Sequence, residues 1–159
     1  MPLSTLGIFH TIVGAGAVFL LVYLLWRDKQ IRLESMLGKI YLLATLLTAA
    51  SALGIFKHGG ANAAHALAVL TILVVVIGVI AATTSFLGAF KKYIVAICFS
   101  ATVLFHAIPT VTEILTRFPA NAPLVASLKD PLLLKVYMFI LVVFVIMLGL
   151  QINWLRKQP

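Results

Sequence analysis

The chain carries very little charge. Only 10% of its 159 residues are charged, whereas 63% are hydrophobic and the net charge is +8. No soluble domain of this size needs so much apolar surface, so the long uncharged runs indicate a membrane protein whose residues face lipid or other helices. The basic residues stand in short runs between apolar segments, which predicts contact with lipid headgroups and argues against a nucleic-acid partner.

Cysteine is almost absent, because Cys98 is the only one and lies within an apolar segment. A single cysteine excludes an intrachain disulfide, a cysteine zinc site and a covalent haem attachment of the C-x-x-C-H kind. The chain also lacks a phosphate-binding glycine loop, a dinucleotide fingerprint and a sensibly spaced Ser-His-Asp set. Residues 1–5 contain no Lys or Arg, so we do not expect a secretory signal peptide.

Five apolar segments organise the chain, and each is close to the ~20 residues that a helix needs to cross a bilayer. They span about 6–26, 35–56, 64–87, 93–115 and 132–154. We therefore predict an all-α fold, in which residues 1–159 form a single membrane domain of five transmembrane helices. Residues 116–131 form the loop between the fourth and fifth segments.

The distribution of basic residues predicts the orientation in the membrane. If the N-terminus lies outside, eight of the twelve Lys and Arg residues lie inside, namely Arg27, Lys29, Arg32, Lys39, Lys91, Lys92, Arg156 and Lys157. The positive-inside rule therefore favours an outer N-terminus and an inner C-terminus. It predicts a multi-pass protein of the bacterial inner membrane, with 116–131 as an outer loop.

The fourth segment differs from the others because it carries His106, Pro109 and Glu113. A protonatable side chain in hydrocarbon is costly and is by default a candidate functional residue. Pro109 removes a backbone hydrogen bond one turn after His106. His106 and Glu113 are seven residues apart and are therefore expected on one face of the helix.

With this topology, all four histidines fall in the outer half of the bundle: His10, His58, His65 and His106. His58 and His65 flank an interfacial turn, where histidine is ordinary. His106 lies deepest and requires a partner, either a ligand or a hydroxyl of a neighbouring helix.

Three chemistries fit histidines from several helices at one end of a bundle. Two neutral imidazoles could ligate haem b, with Gly14 and Gly54 leaving room for the macrocycle. Alternatively, His10, His65 and His106 could bind zinc or copper. The third chemistry is a proton or quinol path with His106 and Glu113 as relays. Glu113 and His58 are the candidate residues for a relay or a wet vestibule.

Three short motifs carry a resemblance. They are G-x-x-H at residues 7–10, G-K-I-Y at residues 38–41 and H-A-L-A at residues 65–68. On these motifs the chain resembles a widespread, uncharacterised family of small multi-span bacterial membrane proteins, and it is more distantly similar to four-helix membrane cytochromes of the b type. Family members often carry His-Arg where this chain has Glu34 and Ser35, so the resemblance implies no histidine site on the inner side.

The leading hypothesis is a membrane protein that binds haem b through His10, His65 and His106. The predicted role is electron transfer, with a quinol or a periplasmic redox protein as partner beside the lipid bilayer, and oxidoreductase is the enzyme class this would imply. The alternatives are a zinc or copper site of hydrolase type built from the same histidines, or a non-catalytic assembly or lipid-interacting protein. A homodimer is compatible with either hypothesis.

Overall fold

The computed structural model describes residues 4–56 and 60–158, which form helices and turns with no strand. Five α-helices follow one another along the chain, and a single 3-10 turn precedes the fourth. They are α1 (Thr5–Asp28), α2 (Met36–Ala52), α3 (Ala63–Thr83), α4 (Lys91–Arg117, after the turn Gly88–Phe90) and α5 (Pro131–Arg156). The predicted all-α architecture is confirmed.

Four of the helical segments are long and apolar enough to cross a membrane: Thr5–Asp28, Ala63–Thr83, Gly88–Arg117 and Pro131–Arg156. The remaining helix, α2, has 17 residues and is shorter than the 22-residue span expected from the sequence. The structure therefore shows four long apolar helices and one shorter helix.

Polar residues begin most of the helices. The side chains of Ser4, Ser35 and Asn62 accept backbone N–H groups in the first turns of α1, α2 and α3. Asp130 does the same for α5, and Pro131 follows it at the first helical position. These caps satisfy backbone donors that have no partner within the helix, so each helix starts at a defined residue.

α2 and α3 end earlier than expected, and hydroxyl side chains donate hydrogen bonds to backbone carbonyls near both ends. The expected span 35–56 is helical only to Ala52, and near that end Ser51 Oγ donates to the Thr48 carbonyl at 2.9 Å. The expected span 64–87 ends at Thr83, where the hydroxyl of Thr84 donates to Ile80 O at 2.8 Å. The Ile80 carbonyl also accepts the Thr84 N–H at 3.1 Å, so the hydroxyl adds a second bond to the last backbone acceptor of α3.

Contacts between helices define two ends of the bundle. α2 and α4 run parallel, because Tyr41 bonds Thr102 and Thr45 bonds His106. α1 and α3 run antiparallel to them, so the starts of α1 and α3 meet the ends of α2 and α4. We call this the histidine end. The opposite end, named the basic end, carries Arg27, Lys29, Arg32, Lys39, Lys91, Lys92, Arg156 and Lys157.

The buried residues change from apolar to polar along the bundle axis. The apolar core runs from the middle toward the basic end and consists of Ala17, Leu21, Leu24, Ile31, Tyr41, Leu42, Val75, Cys98 and Phe99. Toward the histidine end, the buried residues are largely polar, including Thr45, Thr48, Ser51, His65, Thr71, Thr102 and His106. Polar groups buried in a membrane bundle require partners, so this half of the interior contains the candidate site.

The last helix, α5, packs chiefly on α4 and is the least buried of the four long helices. Two residues of α5 form hydrogen bonds with the rest of the bundle. Tyr137 contacts Thr112 Oγ1 at 2.5 Å near the histidine end. Toward the basic end, Gln151 accepts from Ser100 Oγ at 2.6 Å and donates to the Lys29 carbonyl at 2.9 Å.

Candidate functional site

A row of hydroxyl side chains along α2 forms the centre of the polar half. Tyr41, Thr45, Thr48 and Ser51 follow one another at spacings of four, three and three residues, which places them on one face of the helix. All four are buried, and Thr45 is fully inaccessible. We call these residues the hydroxyl stripe of α2.

His10 of α1 contacts the C-terminal end of the hydroxyl stripe. Its Nδ1 lies 2.9 Å from the Thr48 carbonyl and 3.1 Å from Ser51 Oγ. A backbone carbonyl only accepts, so Nδ1 carries the proton and donates it. Nε2 of the neutral ring therefore keeps a lone pair, which is the state in which histidine ligates a metal or haem iron.

His106 contacts the same stripe from α4, closer to the middle of the bundle. Its Nε2 lies 3.1 Å from Thr45 Oγ1, and its ring centroid is 6.1 Å from that of Tyr41. The side chain is 8% exposed and so does not face lipid. The hydroxyl of Thr45 thus provides a hydrogen-bond partner for Nε2, the ring nitrogen that most often ligates.

Tyr41 and Thr102 form a further buried pair next to His106. The two hydroxyl oxygens are 2.6 Å apart, and Thr102 Oγ1 donates to the Phe99 carbonyl at 2.5 Å. Because that bond uses the only proton of the Thr102 hydroxyl, Tyr41 must donate to Thr102. Both side chains are fully buried, so the bond satisfies a phenol that would otherwise be unpaired in an apolar core.

His65 lies in the first turn of α3 and has a different environment. Its ring stacks on Phe56 with centroids 4.7 Å apart, and the residue is 9% exposed. Nδ1 lies 3.3 Å from both the backbone nitrogen and Oδ1 of Asn62. Nε2 is buried and has no hydrogen-bond partner among the described residues. An unpaired buried nitrogen is costly and therefore calls for an explanation.

The two contacts of His65 Nδ1 require opposite tautomers. Donation from the Asn62 backbone N–H would place the ring proton on Nε2, whereas donation from Nδ1 to Asn62 Oδ1 would leave a lone pair there. The second tautomer is the one that can ligate a metal. Asn62 therefore holds the ring in a fixed orientation in either tautomer.

The contacts also define the depth of each histidine. His10 is level with Thr48 and Ser51, near the C-terminal end of α2, and His65 lies in the first turn of the neighbouring α3. His106 is level with Thr45, three to six residues farther in along α2, which corresponds to about 5–9 Å. His10 and His65 thus lie closer to the end of the bundle, and His106 is the deepest.

Glu113 does not join this cluster. It forms an ion pair with Arg117 one turn later on α4, and its side chain is 57% exposed. His106, seven residues earlier on the same nominal face, is buried. His58, the other proposed relay, lies outside the described residues.

The two glycines expected to leave room for a cofactor lie between α1 and the α2 region. A Cβ on Gly14 would approach Thr48 Cγ2 to 3.1 Å, and one on Gly54 would lie 2.8 Å from Leu6 Cδ2. Both glycines therefore allow α1 to approach α2 closely. This close approach brings His10 within hydrogen-bonding distance of Thr48.

Sequence reasoning missed several residues of the site, namely Tyr41, Thr45, Phe56, Asn62 and Thr102. The spacing of the hydroxyl stripe was visible in the sequence, and Asn62 at an N-cap three residues before His65 is a capping-box pattern. Within the described residues, no three His, Cys, Asp or Glu side chains are grouped closely enough to hold a metal ion.

The long apolar helices and the polar groups buried between them define a multi-pass helical membrane protein. No protein-family model, curated protein or solved structure matches the chain.

Proposed function

We propose that all five helices cross the bilayer, with the N-terminus outside and the C-terminus inside. The 17 residues of α2 span about 26 Å, and the turn 53–56 extends this toward the hydrocarbon thickness of about 30 Å. Eight of twelve basic residues then lie on the inner side, as the positive-inside rule favours. In a bacterium this orientation places the histidine end on the periplasmic side of the inner membrane.

The function that the site supports best is haem b binding by His10 and His65 in the outer half of the bundle, in an electron-transfer role. The observation that carries this proposal is the buried Nε2 of His65, which lacks a hydrogen-bond partner within residues 4–56 and 60–158. His10, at a similar depth on another helix, presents an Nε2 lone pair because Thr48 O holds its Nδ1 proton. Neutral imidazoles from two helices are a donor set for haem b, and His65 would take the tautomer in which Nδ1 donates to Asn62 Oδ1.

In this proposal the chain's own residues orient the ligands and exclude water. Thr48 and Ser51 hold His10, Asn62 holds His65, and Phe56 covers the His65 ring. Bound haem b would supply a one-electron redox couple, and the surrounding burial would tune its potential. His106 remains bonded to Thr45 and serves the packing of α4 on α2.

The outer position of the site suggests its partners. A quinol in the membrane or a periplasmic redox protein could exchange electrons with a group near the outer surface. The protein would then act as an electron carrier or as part of a membrane oxidoreductase.

Absorbance spectroscopy of the full-length protein tests the proposal. After expression with ample haem and purification in detergent, we expect a Soret band that shifts on reduction. His10→Ala and His65→Ala should each lower haem content at least tenfold, because outer-shell changes alone cost about 10–100-fold in affinity and loss of a ligand costs more. Added imidazole should restore part of the band in both variants.

His106→Ala is the matched control, since its Nε2 is bonded to Thr45. It should keep the haem band, provided that size-exclusion behaviour and helicity are unchanged. A colourless wild-type protein, or a haem band that survives in His65→Ala, would refute haem ligation by this pair. Stoichiometric zinc or copper in the colourless protein would favour the metal-site alternative, and a metal-free colourless protein would favour the non-catalytic one.

A further inference from the structure

A cleft lies between α1 and α5 toward the basic end of the bundle, remote from the histidines. It has a volume of about 330 Å³ and is lined by Leu25, Lys29, Met147, Leu150, Gln151 and Trp154. α5 packs chiefly on α4, and it approaches the end of α1 where Gln151 donates to the Lys29 carbonyl, which leaves the cleft beside this contact.

The walls of the cleft are apolar, and its rim is cationic. Leu25, Met147 and Leu150 provide the apolar surface. The Gln151 amide is uncharged, and it bonds Ser100 and the Lys29 carbonyl. The Lys29 ammonium is therefore the charged group that the cleft presents.

Lys29 has no acidic partner among the described residues. Its Nζ lies 6.0 Å from the centroid of the Trp154 ring, and the ion pairs of the described chain join Arg27 to Asp28 and Arg117 to Glu113. Lysine and tryptophan together at a helix end are typical of the lipid headgroup region.

The surroundings add to this positive charge. The basic end carries eight Lys and Arg residues but only two acidic ones, Asp28 and Glu34. Each basic residue near an anionic membrane surface contributes about 1 kcal/mol of attraction. Basic pockets between transmembrane helices are known features of lipid headgroup recognition.

We propose that this cleft binds an anionic glycerophospholipid, with an acyl chain along Leu25, Met147 and Leu150 and the phosphate against Lys29. The apolar walls complement the acyl chain, and the unpaired ammonium complements the phosphate. The bound lipid fills the space that α5 leaves beside α1, so it belongs to the packing of the bundle. This inference does not depend on haem binding.

Lipid retention by the full-length protein tests the site. The protein is reconstituted in nanodiscs of equal parts phosphatidylglycerol and phosphatidylcholine, released, and analysed by native mass spectrometry. We expect selective retention of phosphatidylglycerol. Lys29→Asn should weaken this retention about fivefold, because asparagine removes the charge but tolerates the left-handed backbone of residue 29 (φ 58°).

Two controls separate the cleft from diffuse charge. Lys39→Gln removes an equal charge at the basic end without lining the cleft and should retain the lipid normally. Leu150→Trp fills the cleft without changing charge and should also weaken retention, whereas Ile146→Trp, at a similarly exposed position of α5, should not.

Three results would overturn the proposal. Equal losses in Lys29→Asn and Lys39→Gln would show that only overall charge matters. Normal retention in Leu150→Trp would show that no acyl chain occupies the cleft. Full competition by millimolar inorganic phosphate would assign Lys29 to a free anion rather than to a lipid.

Discussion

The closest approach of two helices gives a quantitative stability prediction. Gly78 of α3 faces α4, and a Cβ added there would lie 2.5 Å from Phe99 Cε1, 2.8 Å from Phe99 Cδ1 and 3.0 Å from Cys98 Cβ. Carbon atoms pack favourably at about 3.5–4.0 Å, so in Gly78→Ala the helices must separate by about 1 Å or Phe99 must move. Phe99 is fully buried and has little room to do so.

The expected magnitude follows from two opposing terms. Overpacking a well-packed core costs about 1–3 kcal/mol, and alanine recovers about 0.5–1 kcal/mol over glycine within a helix. Gly78→Ala should therefore lower the free energy of unfolding by up to about 2.5 kcal/mol, and should leave the protein about 1–3 kcal/mol less stable than a Gly→Ala change that meets no neighbour. Gly149→Ala is the matched control, because nothing lies within 4 Å of its added Cβ, and it should be neutral or slightly stabilising.

Equilibrium unfolding in mixed micelles with increasing SDS, followed by helicity, measures this difference. Phe99→Leu in the Gly78→Ala background should recover part of the loss, because it removes the ring atoms that meet the new methyl group. If Gly78→Ala proved as stable as Gly149→Ala, the close packing of α3 on α4 would be refuted.

Two further predictions concern buried hydrogen bonds, and the same unfolding assay measures both. Tyr41→Phe should lower the free energy of unfolding by only about 1 kcal/mol, because Thr102 keeps its bond to a backbone carbonyl. Thr102→Val should lower it by about 1–3 kcal/mol, because the Tyr41 donor is left unpaired. A larger loss in Tyr41→Phe than in Thr102→Val would contradict the assignment of Tyr41 as the donor. Ser100→Ala should also cost about 1–3 kcal/mol, because Gln151 Oε1 loses its donor. The double variant Ser100→Ala/Gln151→Leu should lose less than the sum of the two single changes, and strict additivity would show that the two side chains do not interact.

The helical architecture was predictable because a bilayer constrains length and polarity together. A segment such as 132–154 cannot satisfy its backbone in hydrocarbon except as a helix, and the structure has α5 at Pro131–Arg156. The ends of helices were less predictable. Ser51 and Thr84 donate to carbonyls near the ends of α2 and α3. Thr48 and Thr71 make the same kind of bond within continuing helices, so such residues do not mark a helix end in the sequence.

The partners of the histidines could not be derived from the sequence. His106 was expected to need a partner because of its depth, but the choice of Thr45 depends on the offset between α2 and α4. Glu113 was expected on the same face as His106, yet it is exposed near the end of α4 and pairs with Arg117. Periodicity specifies a face of a helix, whereas burial depends on which neighbours extend far enough to cover it.

The attachment of α5 has a consequence for synthesis of the protein. Tyr137 and Gln151, fourteen residues or about 21 Å apart along α5, hold the helix by hydrogen bonds, while most of its surface faces outward. His10, His65, His106 and their partners all precede it in the chain. The histidine end can therefore assemble during translation, before the ribosome has released the last helix into the membrane.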